Sequence, residues 1–173
     1  MYIPAKRIST ISLLIAMSIV LTRVASLRIA IGGVEGIRIG FGKFPIILGS
    51  LILGPLYGGI IGAISDITGY VIQPMGPYMP HFSIISAITG ILPSFLYQSF
   101  GESDYSMTKI TVAIGITIGI SELIMIPYAL HMIFDIPWKV LLIPRLISVP
   151  LTIIIYTYTL HLFIRRNMIR FVH

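Results

Sequence analysis

GAISDITGYVIQPMGPYMPHF, residues 62–82, sets an aspartate inside an apolar, glycine-studded run, then breaks that run with two prolines and a glycine. The surrounding chain decides how to read it. It has 173 residues, 56% of them hydrophobic and 10% charged, with a mean hydropathy of +0.98. No ordinary soluble surface can be assembled from that composition, so the run is a membrane span and Gln73–Pro77 is the turn that ends it. Tyr78, His81 and Phe82 then fall where the next span begins.

Working outward, apolar runs separated by Gly, Pro and charge predict helices at about 8–27, 41–54, 56–72, 80–98, 109–131 and 140–164. The expected fold is therefore an all-α six-transmembrane-helix bundle forming one domain over residues 1–173. The N-terminus has basic residues before an apolar run, as a signal peptide does. It lacks a small-residue cleavage site and further spans follow, so it reads as the first retained helix. Six spans put both ends on one side. Lys6 and Arg7 before the first span, with Arg165, Arg166 and Arg170 after the last, place both termini in the cytoplasm. The outer side then receives the connections 28–43, 73–79 and 131–139. The second and third spans are short for a hydrocarbon slab of about 30 Å, so the outer loops are expected to dip inward and roof a cavity.

Arg23, Arg28, Arg38, Lys43, Lys139 and Arg145 all fall at or near outer ends of spans, where the topology rule leaves few cations. Snorkelling to lipid headgroups accounts for Arg28 and Lys139. Arg23 and Arg145 lie about a turn inside and need a carboxylate, carbonyls or a ligand. Two acids match them in depth, Asp66 and Glu122, and each costs about 2.5 kcal/mol or more to insert unless paired, hydrated or protonated. Their presence points to a binding function; the alternative is a salt bridge with Arg23 or Arg145 that fixes helix register. Gly58, Gly62, Ser65 and Gly69 recur every three or four residues on one helix stripe and read as close-packing devices. Tyr78, Tyr128 and Trp138 suit either a ligand mouth or an interfacial belt.

Several chemistries lack their residues. There is no cysteine, no GxxxxGK[ST] phosphate loop, no GxSxG elbow and no HExxH helix, and His81 and His131 lack metal-ligand spacing. An enzyme is disfavoured, and neither a cofactor, a metal nor a nucleic-acid partner is expected. A small bundle with a polar outer mouth and no ATP-hydrolysing motif suggests a binding subunit.

From 38 to 90 the chain resembles the folate group of S components, the substrate-binding subunits of energy-coupling-factor (ECF) vitamin transporters. The likeness rests on Arg38–Phe41 with Pro45; Gly49, Leu51, Gly54, Pro55 and Gly58; Asp66 with Gly69; and Pro74, Gly76, Pro80, Phe82, Ser86 and Ala87. It extends more loosely over the rest, including Pro144-Arg145-Leu146. The resemblance implies a multi-pass protein of the bacterial cell membrane that captures a vitamin from outside and works with a transmembrane scaffold subunit and two cytoplasmic ATPases. It also implies that Ser12 and Ala16, standing for an AxxxA step on the first helix, dock on the scaffold. Eleven residues separate Ser12 from Arg23, about 20 degrees round a helix, so one straight helix would face both the same way.

For folate, the pterin edge suits Asp66 or Glu122, the rings suit Tyr78, Phe82 and Tyr128, and the glutamate tail suits Arg23, Arg38 or Arg145. Lys43, Gly76, His81 and Ser86 complete the candidate set. His81 stands where the family pattern has Gly, and Ile84 and Ile85 where it often has Leu, which leaves hydroxymethylpyrimidine or pyridoxine as alternative ligands. An autonomous secondary carrier is the competing class.

Overall fold

Proline and glycine set the boundaries of the helices. Pro55 and Pro80 open helices at a position where their missing N–H is not needed. Gly54, at φ 96°, reverses the chain between two helices with a single residue, a conformation a side chain would resist. The computed structural model describes residues 5–23, 26–31, 34–74, 77–101 and 106–165, of which 23, 26–31, 34–39, 164 and 165 are described in the backbone only.

The helices are α1 (Ala5–Arg23), α2 (Lys43–Leu53), α3 (Pro55–Ile72), α4 (Pro80–Ser99), α5 (Met107–Gly119), a π-helical segment (Ile120–Met125), α6 (Ile126–Phe134) and α7 (Trp138–Arg165). α5, the π segment and α6 run on as one rod, Met107–Phe134, so six helical rods stand where the sequence predicts six. Pro127 sits just past the π segment. It has no N–H to offer the carbonyl a turn below and its ring crowds that carbonyl; a widened turn relieves the clash. Among the described residues, four rods are long and apolar enough to cross a membrane by themselves: Ala5–Thr22, Pro80–Ser99, Met107–Phe134 and Trp138–Phe163.

α2 differs from its neighbours. At 11 residues it is about 16 Å long, half a bilayer core, and all eight residues from Phe44 to Leu51 are buried. Leu14 of α1, Ile61 of α3, Ile110, Ile114 and Ile118 of α5, and Val149, Tyr156 and Leu160 of α7 close around it. Large apolar side chains such as Leu56, Val71, Phe95, Ile143 and Ile154 face outward instead, as they must where the surroundings are acyl chains.

One expectation needs correction. The connection between the first two rods is not irregular: β1 (Ser26–Ile31) and β2 (Val34–Gly40) form an antiparallel hairpin with a bulge at Ile29/Ala30, a two-stranded addition to an otherwise helical fold. The chain re-enters the bundle after it. The Gly40 carbonyl accepts from the Tyr156 hydroxyl at 2.5 Å, and the Gly42 carbonyl accepts from Ser18 Oγ at 2.8 Å. Non-helical backbone at this depth needs protein donors, and α7 and α1 supply them.

α3 and α4 run antiparallel, as do α5 and α7, because in each pair the contacts climb one rod as they descend the other. On α3 and α4, a Cβ on Gly58 would lie 2.1 Å from the Gly90 oxygen, and one on Gly62 2.2 Å from the Ser86 oxygen. The small-residue stripe therefore permits backbone-to-backbone approach. On α5 and α7, Met107 meets His161 at one end and Glu122 meets Arg145 fifteen residues on.

Candidate ligand site

Two polar clusters occupy the half of the bundle away from Met107 and His161. In the first, the Glu122 carboxylate lies between two cations. Lys43 Nζ, from the first residue of α2, donates to Oε1 at 2.5 Å, and Arg145 Nη1 of α7 donates to Oε2 at 2.9 Å. Lys43 also reaches Ser121 Oγ at 3.3 Å, and Arg145 the Glu122 main-chain oxygen at 2.9 Å. The π segment explains that last contact: widening the turn loosens the ordinary i to i+4 ladder and leaves a carbonyl available to a guanidinium. The side chains of Lys43, Glu122 and Arg145 are 25%, 27% and 12% exposed. Among the described side chains, this group carries one negative and two positive charges.

The second cluster joins α3 to α4. Ser83 Oγ donates to Asp66 Oδ2 at 2.6 Å, and the Tyr78 hydroxyl lies 2.9 Å from the same Ser83 oxygen. The Tyr70 and Tyr78 rings meet at a 54° tilt, centroids 5.1 Å apart. Close packing sets this up: with Gly62 on Ser86, one turn up α3 reaches Asp66 while one turn back along α4 reaches Ser83.

The salt bridge that the sequence left as the alternative to a ligand-binding role is present between Glu122 and Arg145. Asp66 has no arginine among the described residues; it takes a serine. No described hydrogen bond or ion pair links the two clusters. Phe82 is partly buried and His81 exposed in the first turn of α4. The carbonyl of Ser86 packs on Gly62. Tyr128 is 54% exposed and turned outward with Met132 and Phe134, so the structure does not bring it to either cluster. His131 bonds the Ile136 carbonyl and its ring meets that of Trp138 at a tilt, closing the turn between α6 and α7. The side chains of Arg23 and Arg38, and Gly76 as a whole, lie outside the described residues. Ser12 and Ala16 are both exposed on α1. Ser83 and Ser121 were absent from the sequence-based set, because single serines in apolar helices carry no signal of their own; the antiparallel register above is what could have found Ser83.

No group of three or more metal-ligating side chains occurs among the described residues. A shallow apolar concavity of about 300 Å³, lined by Met107, Thr111, Ile153, Ile154, Thr157, Tyr158 and His161, lies at the other end of the α5–α7 seam.

A sequence model for "ECF-type riboflavin transporter, S component" matches residues 3–164. The folate transporter FolT of Clostridium novyi (strain NT) is 31% identical over 135 residues, covering 78% of this chain and 74% of that protein. A crystal structure of FolT bound with folic acid superposes with a TM-score of 0.74 at 21% identity, covering 91% of this chain and 90% of the other. The S component of a bacterial ECF transporter superposes with a TM-score of 0.67 at 18% identity, covering 94% and 95%. At those identities the two structures speak for the fold.

Proposed function

Because this chain belongs to the S components of ECF-type transporters, multi-pass proteins of the bacterial cell membrane, we propose that it is the high-affinity binding subunit of a vitamin importer and that its ligand is folate. It crosses the membrane six times with both termini inside, takes its ligand at the outer face, and delivers it within a complex of a scaffold subunit and two ATPases. It catalyses no reaction itself.

The observation that carries the choice of folate is the Lys43–Glu122–Arg145 group. Two cations on one carboxylate, all partly accessible, form a place where a second anion gains charge-assisted bonds. Folate has a flat amino-oxopteridine at one end and the carboxylates of a glutamate at the other, and the clusters divide the same way: Asp66 for the ring edge, Arg145 and Lys43 for the tail. Phe82 supplies a ring face, and Tyr78 borders the ring edge beside Asp66. Riboflavin is the second reading, favoured by the family description that matches residues 3–164. Its ribityl tail is uncharged and leaves the two cations without a ligand anion. Hydroxymethylpyrimidine and pyridoxine share that lack.

Isothermal titration of the purified chain with folic acid and with riboflavin tests the assignment. Binding of folic acid, with riboflavin silent or far weaker, is the expected result. Binding of riboflavin alone would replace folate with the second reading.

A further inference from the structure

The Tyr78–Ser83–Asp66 chain has a direction. An ionised carboxylate only accepts hydrogen bonds, and a serine hydroxyl has a single hydrogen. With Ser83 Oγ 2.6 Å from Asp66 Oδ2, that hydrogen goes to the carboxylate. Ser83 can then only accept from Tyr78, 2.9 Å away, so the phenol hydrogen is used inside the protein as well. Asp66 Oδ1 has no partner among the described residues, and both Asp66 and Tyr78 keep some exposure while Ser83 is buried. Every polar atom this chain offers a ligand is therefore an acceptor.

We infer that Ser83 is a positioning residue that sets ligand specificity: by holding Tyr78 and Asp66 as acceptors, it makes the site select a ring edge carrying only N–H donors and reject an imide edge. This rests on the folate reading and deepens it. The edge of 2-amino-4-oxopteridine with an amino group beside a ring N–H is donor-only. In 2,4-dioxopteridine, nearly the same shape, a carbonyl replaces the amino group and meets acceptors. Removing the serine hydroxyl frees the phenol hydrogen, and Tyr78 can then donate to that carbonyl.

The experiment competes the two pteridines against folic acid on the purified chain. The wild type is expected to prefer the amino ring by about 10- to 100-fold, the range for one lost hydrogen bond and an unpaired buried acceptor. Ser83→Ala is expected to bring that ratio to near unity mainly by strengthening the dioxo ring, and Ser83→Thr to restore it. Tyr78→Phe, which leaves the Ser83–Asp66 bond in place, is expected to weaken the amino ring and leave the dioxo ring unchanged. A wild type without preference, or a Ser83→Ala that weakens both rings equally, overturns the inference while folate binding stands. A wild type that does not bind folic acid overturns both.

Discussion

Arg145 and Glu122 show how far single residues reveal a site. Charge inside an apolar run is a strong signal, since hydrocarbon tolerates it only when something compensates; both residues were legible from sequence, but which acid would meet which arginine was not. What compensates them was legible only as alternatives. The structure gives Arg145 a carboxylate and a carbonyl, and the folate reading adds a ligand anion. The two contributions separate experimentally. Arg145→Ala is expected to weaken folic acid by about 10- to 100-fold, the magnitude of a charge-assisted bond, and to leave tail-less 2-amino-4-oxopteridine unchanged, as titration with both would show. An equal loss for both ligands would mean that Arg145 acts only on the bundle. Glu122→Gln keeps size and bonding capacity but leaves Lys43 and Arg145 facing a neutral amide; a loss of about 1–3 kcal/mol is expected, less than for a fully buried pair because these side chains retain some water. Thermal melting of the detergent-solubilised protein measures it. Asp66 was equally visible, but not its serine, because a hydroxyl costs too little in a helix to stand out.

At the scale of elements, the six rods were legible because apolar runs must be long and their interruptions abrupt. The hairpin 26–40 was not. Its alternation of apolar and polar residues is broken by glycines and a bulge, and such a segment between two spans looks like any loop. Nor was the depth of α2, which depends on Tyr156 and Ser18 meeting the Gly40 and Gly42 carbonyls across contacts distant in sequence. The glycines divide by what surrounds them. At Gly62 a methyl group meets α4 main chain, which cannot turn aside, so Gly62→Ala is expected to destabilise by roughly 1–3 kcal/mol or more through overpacking. At Gly119 nothing lies within 4 Å of an added Cβ, so Gly119→Ala is expected to be neutral or to gain up to about 1 kcal/mol of helix propensity. Melting temperatures of the two variants should move in opposite directions or differ by several degrees; equal shifts would mean that α3 and α4 are not in the close contact described.

For the whole molecule, binding and transport make different demands on α1. Leu14 and Ser18 are buried against the bundle, whereas Ser12, Leu13, Ala16, Met17 and Val20 face outward, with Leu13 60% and Val20 55% exposed. That outward face contributes nothing to either polar cluster. Small residues a turn apart let a second helix approach to backbone distance, and the proposed scaffold docks there. An indole at Ala16 would hold such a helix away without disturbing the protein's own packing, since the position is exposed. Ala16→Trp is therefore expected to bind folic acid as the wild type does, and to lose both co-purification with the scaffold and uptake in cells that supply scaffold and ATPases. The unmodified chain expressed without those partners is expected to bind but not accumulate ligand. Robust uptake by the chain alone would make it a carrier in its own right, and the accessible stripe on α1 would then be ordinary lipid-facing surface.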